Sequence, residues 1–394
     1  MTTNNYLIYK NKLIFIDTFD EPLDKYFDIL SKYNYLIFSN YNHAEFSLKS
    51  NNKFESEYAN SSRYISTNLF FNVSKFNQKI YFLPENITHI RFGKNFNNHI
   101  CLPNNLLFLE FGSEFNNPVN LNNNLKHLIF GTGYNFPIKY FPNKLTHLVF
   151  GFFFDKPLEN LPNSLLYLKL GDKFNRKISF PPNLTYLFLG EYFNNILVLP
   201  QKLEYLEIYF SHMNLITGIN IFELTELKNL KLIGLKNNNN PIISLPNNLK
   251  KLSYYNSCGI PNILPNNLTS LTLGYNFEQE LLLNYNIKYI KLSGNSSVNI
   301  LYNLPNSIEI LHLDEFFTNE LTNLPNSIKK IIFNLNSCYD KELNNLPESI
   351  ELIKLPRKYV FQIKKIPCNL KKIICSKKYP FINNFISISK ITTY

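Results

Sequence analysis

Several residue types that mark common protein classes are scarce in this sequence. Its 394 residues include no Trp, two Met, two Ala and four Arg, and charged residues make up 18% against 45% hydrophobic ones. No apolar run approaches the ~18 residues that a membrane-spanning helix needs. The hydrophobic fraction is high enough for a core and argues against a wholly disordered chain. The abundant residues are Asn, Lys, Ile, Tyr and Phe, a bias typical of an AT-rich coding sequence.

Cysteine usage and the N-terminus bear on the compartment. The Cys are odd in number, form no CxxC pair and match no zinc ligand spacing. They are Cys101, Cys258, Cys338, Cys368 and Cys375. The first residues, MTTNNYLIYKNK, contain no apolar core of a signal peptide. We therefore expect free thiols in a soluble intracellular protein.

Recognisable catalytic motifs are missing from the sequence. It has no P-loop, no GxGxxG, no GxSxG and no HExxH, and none of its eight Asp recurs with a His partner. We expect no enzymatic activity and no cofactor.

What the sequence does contain is an internal period. With the Pro of each Leu-Pro pair taken as the start, fifteen repeats follow one another, most of them 19 or 20 residues long. They begin at residues 84, 103, 122, 142, 162, 181, 200, 224, 246, 265, 284, 305, 325, 347 and 367. A period of this length is typical of a solenoid, in which each repeat contacts only its neighbours.

Apolar residues recur at fixed offsets within each repeat. Positions +3, +6 and +8 are apolar in all fifteen repeats, as in Leu106, Leu109 and Phe111. The alternation with +5 and +7 predicts a strand whose +6 and +8 side chains point inward. Gly follows at +9 in seven repeats, where we expect a turn with unusual backbone angles. An aromatic at +12 and an aliphatic residue at +16 complete the pattern, as in Phe115 and Val119, and the +12 rings should stack as a core spine.

The rest of each repeat is too short for a return helix. Its recurring Pro would break a helix, so we expect extended or polyproline-like return legs. The six buried side chains of one repeat contribute roughly 9–18 kcal/mol, whereas ordering its backbone costs about 20–40 kcal/mol. One repeat therefore cannot fold alone, but stacked repeats can, because neighbours share their buried faces and a parallel sheet.

The segment LPNNLLFLEFGSEFNNPVN, residues 102–120, resembles the FNIP repeat. This short relative of the leucine-rich repeat occurs in proteins of social amoebae and of giant viruses that infect amoebae, and the motif recurs here through roughly residues 69–375. The resemblance implies a leucine-rich-repeat-like solenoid with a parallel β-sheet on the concave face and mostly extended or coil return legs. It also implies protein–protein interaction, with an unidentified partner that could belong to an amoebal host, in the cytoplasm of the cell or host.

The family often couples its repeats to an N-terminal F-box that recruits a ubiquitin ligase. Residues 20–30 are predicted to form a helix with Asp20 as its N-cap, but they lack the Leu-Pro opening and the closing Trp of an F-box. We predict a small α+β cap region over residues 1–65, with a hairpin at 6–16 and a polar stretch from Ser47 to Ser62.

The remaining regions follow from the repeat pattern. Residues 66–375 are predicted to be the solenoid of about fifteen repeats of 19–24 residues, and residues 376–394 a basic C-terminal cap or tail. The segment from Ser211 to Asn240 lengthens one repeat, and we interpret it as a bulge on the solenoid.

The outward +5 positions are the candidate partner-binding surface. Over the first seven repeats they hold only rings: His89, Phe108, His127, His147, Tyr167, Tyr186 and Tyr205. Aromatic side chains concentrate binding energy in interfaces; the alternative is simple cross-strand stacking. We expect these outward side chains to add little to stability. His127 and His147 should be neighbours, but no Asp, Glu or Cys joins them at adjacent outward positions, so no metal site is predicted.

Positive charge is concentrated at the C-terminal end. Residues 351–394 carry ten Lys and Arg against one Glu, in a chain of formal net charge +11. A polyanion, either a nucleic acid or an anionic surface, could bind there. The candidate residues are Lys364, Lys365, Lys371, Lys372, Lys377 and Lys378. The alternative is a solvated capping repeat.

The leading hypothesis is a non-enzymatic scaffold that binds a protein through its concave face. Polyanion binding through the basic end is one alternative, with nucleic acid the less favoured partner. A ubiquitin-ligase substrate receptor is another, if the N-terminus is a divergent F-box.

Overall fold

The computed structural model describes residues 5–38, 74–195, 198–210, 221–234, 244–255, 260–274, 277, 279–294, 298–385, 388 and 390–394. The chain divides into two compact units, Met1–Pro200 and Gln201–Tyr394. Each is a stack of short parallel strands, with one strand in nearly every turn of the chain. The predicted leucine-rich-repeat-like solenoid is confirmed.

The first unit contains nine strands among its described residues. They are β1 (Tyr6–Tyr9), β2 (Lys12–Phe15), β3 (Tyr35–Phe38), β4 (His89–Arg91), β5 (Phe108–Glu110), β6 (His127–Ile129), β7 (His147–Val149), β8 (Tyr167–Lys169) and β9 (Tyr186–Leu189). β1 pairs antiparallel with β2, and β2 to β9 then pair in chain order, all parallel. Each +5 residue lies opposite the +5 residue of the next repeat.

The second unit continues the same pattern with ten strands among its described residues. They are β10 (Tyr205–Phe210), β11 (Asn229–Gly234), β12 (Lys251–Tyr255), β13 (Ser270–Leu273), β14 (Tyr289–Leu292), β15 (Ile310–Leu313), β16 (Lys330–Phe333), β17 (Leu352–Lys354), β18 (Lys372–Cys375) and β19 (Lys390–Thr393). All pair parallel in chain order.

The buried face of the strands matches the predicted alternation. Leu109 and Leu168 are fully buried at +6, and across all fifteen repeats the +3, +6 and +8 side chains are at most 7% exposed. The strands form because every second side chain leaves water while the backbone is paired on both sides.

Behind the sheet, aromatic rings form two continuous columns in the first unit. The column at +12 runs through Phe76, Phe96, Phe115, Tyr134, Phe154, Phe174 and Phe193, with centroids 5.9–6.1 Å apart and planes within 8° of parallel. A second column at +8 includes Phe92, Phe111, Phe130 and Phe150 at 5.5–5.6 Å. These rings are fully buried or nearly so, and the predicted spine is confirmed.

The +9 glycines are required for a different reason from the one predicted. Gly294 has a positive φ of 68°, but none of the described +9 glycines shares that conformation. A Cβ placed on Gly131 would lie 2.2 Å from the carbonyl oxygen of Gly112 and 2.4 Å from its carbon. Glycine is therefore needed because the turns approach each other too closely for a side chain, and the expectation of unusual backbone angles is wrong.

The N-terminal segment is built into the first stack. Residues 6–16 form the expected hairpin, and β2 and β3 extend the parallel sheet ahead of β4. Phe15 and Phe38 continue the ring column at +8, while Phe19 stacks on Phe76 at 5.7 Å. The predicted boundary at residue 65 and the polar stretch from Ser47 to Ser62 lie outside the described residues.

The helix expected at residues 20–30 is short and differently capped. A 3₁₀ turn, Leu23–Tyr26, leads into a one-turn helix, α1 (Phe27–Leu30), and Pro22 lies at the N-terminal boundary without a side-chain cap. The prediction that Asp20 caps this helix is wrong. Its carboxylate instead accepts hydrogen bonds from the backbone N–H of Asn77 at 2.8 Å and from Gln78 Nε2 at 3.0 Å.

The described return legs contain little helix, as predicted. In the second unit they include a five-residue helix, α2 (Val298–Tyr302), and the 3₁₀ turns Ile221–Glu223 and Ile382–Phe385. Much of the predicted bulge from Ser211 to Asn240 lies outside the described residues, although β11 falls within it. No helix among the described residues is long and apolar enough to cross a membrane.

Candidate functional site

Rings at the predicted +5 positions form a continuous row of stacked and edge-to-face contacts along the strand face of the first unit. We call it the ring ladder, and it consists of Tyr35, His89, Phe108, His127, His147, Tyr167 and Tyr186. Successive centroids are 4.0, 5.8, 5.9, 4.4, 5.5 and 5.8 Å apart in that order. The spacing follows from the parallel register, because each ring projects from the strand next to that of the ring before it.

Tyr35 is a member of the ladder that the repeat pattern did not reveal. The segment Tyr35-Leu36-Ile37-Phe38 has the order of a +5 to +8 strand, but no Leu-Pro stands before it. The same order occurs in Lys12–Phe15. A search for the four-residue strand pattern alone would have found both.

The ladder is less exposed than its outward direction suggested. Tyr167 is 6% exposed, and its ring contacts Phe188 at 5.4 Å in addition to its two ladder neighbours. The other members are half-buried. The expectation that +5 side chains add little to stability is therefore wrong for Tyr167. Stacked neighbours cover much of each other's ring faces, as they do for Tyr167 between His147 and Tyr186.

Burial keeps His89 and His147 uncharged at neutral pH. Desolvation, together with the neighbouring His127, lowers the pKa of both His89 and His147 to about 4. Thr88 Oγ1 lies 2.8 Å from His89 Nδ1, and Thr146 Oγ1 lies 3.0 Å from His147 Nδ1. Because the Thr146 hydroxyl donates to the carbonyl oxygen of Lys126 at 3.1 Å, His147 Nδ1 is the donor of the other bond. At neutral pH these two imidazoles of the ladder are therefore uncharged.

His127 and His147 are adjacent, but their surroundings are apolar. Their rings meet edge to face at 4.4 Å. The outward neighbours at +7, Ile129 and Val149, are 8% and 9% exposed. In the part of the chain that the structure describes, no three His, Cys, Asp or Glu side chains are grouped as a metal-binding set.

Tyr205, the last of the predicted site residues, has a polar partner. It begins β10 in the second unit, where its hydroxyl donates to Glu207 Oε2 at 3.0 Å. Glu207 is 2% exposed and pairs with Lys231 Nζ at 3.0 Å. The strand face at β10 and β11 therefore carries a compensated ion pair.

The lysines proposed for polyanion binding fall into two groups. Three form ion pairs with acids one repeat earlier: Lys364 with Glu342 at 3.5 Å, Lys365 with Glu348 at 2.9 Å, and Lys371 with Glu351 at 3.1 Å. Lys372 lies on the strand face of β18, while Lys377 and Lys378 are exposed in the turn after it. Two of the acids precede residue 351, so counting charge along the segment overstated the local positive charge.

The four described cysteines are free thiols. Cys101, Cys338 and Cys368 are free and exposed, and Cys375 is free and buried. Cys258 lies outside the described residues.

A second ladder, made of Asn and Asp, explains the polar residue that follows each +12 aromatic of the first unit. Asn97 Oδ1 accepts the backbone N–H of Asn116 at 2.8 Å, and Asn116 Oδ1 accepts that of Asn135 at 2.9 Å. The same bond joins Asp20 to Asn77, Asn77 to Asn97, Asn135 to Asp155, Asp155 to Asn175 and Asn175 to Asn194 at 2.8–3.0 Å. In each Phe-Asn pair, the Phe contributes one ring to the aromatic column and the Asn contributes one hydrogen bond to this polar ladder.

The profile of the FNIP Repeat family matches residues 76–114, 134–173, 154–190, 174–210 and 255–295. FNIP repeats therefore occur in this chain at these positions. The Phe and Asn of the motif are the stacked ring and the ladder amide described above. FNIP and leucine-rich-repeat-like folds are typically protein-interaction scaffolds without enzymatic activity.

Solved structures similar to this FNIP-repeat protein are leucine-rich-repeat proteins. One is CroV588, described as a novel circular LRR protein, with 26% identity over 95% of this chain and 77% of that chain at a TM-score of 0.44. Another is YopM from Yersinia enterocolitica WA-314, with 19% identity over 76% of this chain and 67% of that chain at a TM-score of 0.39. No curated protein matches the chain.

Proposed function

We propose that this FNIP-repeat protein is a non-enzymatic scaffold that binds a partner protein through the ring ladder on the strand face of its first unit. The observation that carries the proposal is the ladder itself, seven rings on seven neighbouring strands with half-buried members. Exposed aromatic strips of this kind are enriched in protein interfaces.

Preorganisation favours binding by this surface. Each ring is already held between its neighbours by the register of the sheet, as the 5.5 Å and 5.8 Å stacking of Tyr167 on His147 and Tyr186 illustrates. Binding then costs little side-chain entropy, whereas ordering a free side chain costs about 0.5–1.5 kcal/mol. A partner gains most of its interaction energy from apolar burial against the rings.

The low charge of the ladder defines the partner it suits. His89 and His147 are neutral above a pKa of about 4, so these two rings offer no positive charge to a polyanion. An apolar or aromatic protein surface with a few hydrogen-bonding groups is the complementary partner. The basic end of the chain is a different kind of surface, where three of the six predicted lysines already pair with carboxylates.

The ubiquitin-ligase alternative receives no support from the described N-terminal residues. Residues 5–38 serve as the first turns of the stack through β2, β3 and their rings. Residues 39–73 lie outside the described part of the chain, so the alternative stays a prediction.

Site-specific photocrosslinking tests the proposal while the partner is still unidentified. A benzophenone amino acid would replace Phe108 or Tyr186 in the ladder, where an aromatic side chain fits the stack. Matched positions on the exposed return legs are Asn120 and Lys177. We expect one protein to crosslink from both ladder positions and from neither control. Crosslinking of that protein only from the return legs would refute the proposed surface.

An affinity measurement with the crosslinked partner provides the second test. Phe108→Ser should weaken binding by about thirtyfold, since truncation of an interface aromatic typically costs about 2 kcal/mol or more. Tyr289→Ser, at the same offset on β14, should leave affinity unchanged. Circular dichroism and thermal unfolding of both variants separate lost binding from lost folding.

A further inference from the structure

A cluster of lysines on the strand face of β16–β19 forms a basic surface that the charge count along the sequence did not identify. Its members are Lys330, Lys354, Lys372 and Lys390. Only Lys372 belongs to the lysines selected from the sequence. The other three come from different repeats and are brought together by the sheet.

The register of the strands brings the four lysines close together on one face of the sheet. At +5, Leu352 lies between Lys330 and Lys372, which are on the two neighbouring strands. Lys390 lies opposite Lys372 on the next strand. Lys354 lies at +7 on the strand between Lys330 and Lys372. Neighbouring strands are ~4.8 Å apart, and alternate residues along a strand are ~6.7 Å apart. The four ammonium groups can therefore act on one bound segment.

The four side chains point away from the core. The residues that alternate with them, Ile331, Ile353 and Ile373, are fully buried. Lys330 and Lys390 are exposed, and Lys354 and Lys372 are half-buried.

No carboxylate neutralises this cluster in the described part of the chain. The +5 and +7 positions of β16–β19 contain no Asp or Glu. The described ion pairs of this region involve Lys364, Lys365 and Lys371. Those lysines project elsewhere, from the return leg and from +4. Within β16–β19, these described ion pairs therefore involve lysines at +4 and in the return leg, and none of them involves the four strand-face lysines.

Aliphatic side chains separate the lysines. Leu352 lies at +5 between Lys330 and Lys372, and Ile332 and Ile374 lie at +7 on either side of Lys354. The strand face offers no aromatic side chain at these positions of β16–β19, and Arg357, just beyond β17, is placed against the ring of Tyr394 at 5.9 Å. Nucleic-acid binding surfaces rely on stacking rings and Arg forks, which this face of the sheet lacks.

We propose that the strand face of β16–β19 binds a peptide segment in which acidic and aliphatic residues alternate. Carboxylates meet the four lysines, and the aliphatic side chains cover Leu352, Ile332 and Ile374. The proposal is independent of the ring ladder, which lies in the other unit.

The probe is a synthetic twelve-residue peptide of alternating Glu and Leu, titrated by fluorescence anisotropy into the full chain. The comparison probes are a Glu and Gly peptide of the same charge and a single-stranded oligonucleotide. We expect the Glu and Leu peptide to bind best, and its affinity to fall with rising salt. No binding by the intact protein, or equal binding of all three probes, would overturn the proposal.

Two variants of equal net charge locate the site. Lys330→Gln, Lys354→Gln and Lys372→Gln together should weaken peptide binding by about tenfold or more, since each exposed ion pair is worth up to about fivefold. The matched control, Lys364→Gln with Lys365→Gln and Lys371→Gln, should bind as the wild type does. Equal loss in both variants would show a response to net charge alone and contradict the assignment. Glu at the same three positions should abolish binding, and thermal unfolding verifies the fold of each variant.

Discussion

Replacing Tyr134 by Phe should make the protein more stable. Tyr134 is the Tyr of an otherwise Phe-only ring column at +12 in the first unit, and it is fully buried. Its ring stacks on Phe115 at 5.9 Å and on Phe154 at 6.1 Å. Its hydroxyl has no hydrogen-bond partner in the described part of the chain. Burial alone raises its pKa, because no nearby group favours the phenolate.

The size of the effect follows from the isolated hydroxyl. An unsatisfied buried polar group costs about 1–3 kcal/mol, and Phe keeps the ring and its stacking. The free energy of unfolding should therefore rise by about 1–3 kcal/mol. For a unit of this size, that corresponds to about 2–10 °C in melting temperature.

Tyr379 is the matched control. Its hydroxyl donates to the carbonyl oxygen of Phe361 at 2.7 Å, so Tyr379→Phe should lower stability by about 0.5–1.5 kcal/mol. The assay is urea unfolding of the full chain, with amide hydrogen exchange in β5–β7 reporting on the first unit. A loss of stability in Tyr134→Phe would refute the reasoning, since it would mean that the hydroxyl bonds to a buried water.

Further predictions concern the close approach of turns, the histidines and the polar ladder. Gly131→Ala should destabilise the first unit by about 1–3 kcal/mol, because its Cβ would lie 2.2 Å from the preceding carbonyl oxygen; urea unfolding measures the change, and an unchanged midpoint would contradict it. Stability should fall as the pH drops from 6.5 to 4. In this range histidine in the unfolded chain takes up protons, whereas folded His89 and His147, with pKa values of about 4, stay largely neutral. The slope should be at most about 1.4 kcal/mol per pH unit for each histidine, and the double His→Phe variant should flatten it. Asp20→Ala should accelerate hydrogen exchange of the Asn77 amide without altering the circular dichroism of the helix, whereas unchanged exchange would contradict the ladder assignment.

The inward side chains of each strand were predictable, because the alternation of inward and outward residues along a strand indicates which face is removed from water. Leu109 and Phe111 are buried as expected, and Phe115 stacks in its column. The direction of the outward side chains was predictable, but their exposure to solvent was not. Tyr167 points away from the core and is still 6% exposed, because rings on adjacent strands cover one another.

Other features depend on contacts between residues of different turns, and the sequence of one repeat does not show these contacts. The role of Gly131 is set by a carbonyl oxygen 2.2 Å from its would-be Cβ, and that oxygen belongs to the preceding turn. Asp20 looked like a helix cap, but its partner, Asn77, lies 57 residues further along the chain. Tyr35 was missed because its turn lacks the Leu-Pro that defined the repeats.

By itself, the sequence determined that this protein is a stack of parallel strands, because apolar side chains at fixed offsets can be buried together only if successive turns pack in register. The tertiary structure alone decided which polar groups meet. Lys371 is matched to Glu351 twenty residues earlier, whereas Lys372 joins Lys330 and Lys354 on an uncompensated face. The physical reason is that charge and hydrogen bonding act over a few ångströms, and in a solenoid the residues within that range lie one or two whole turns away along the chain.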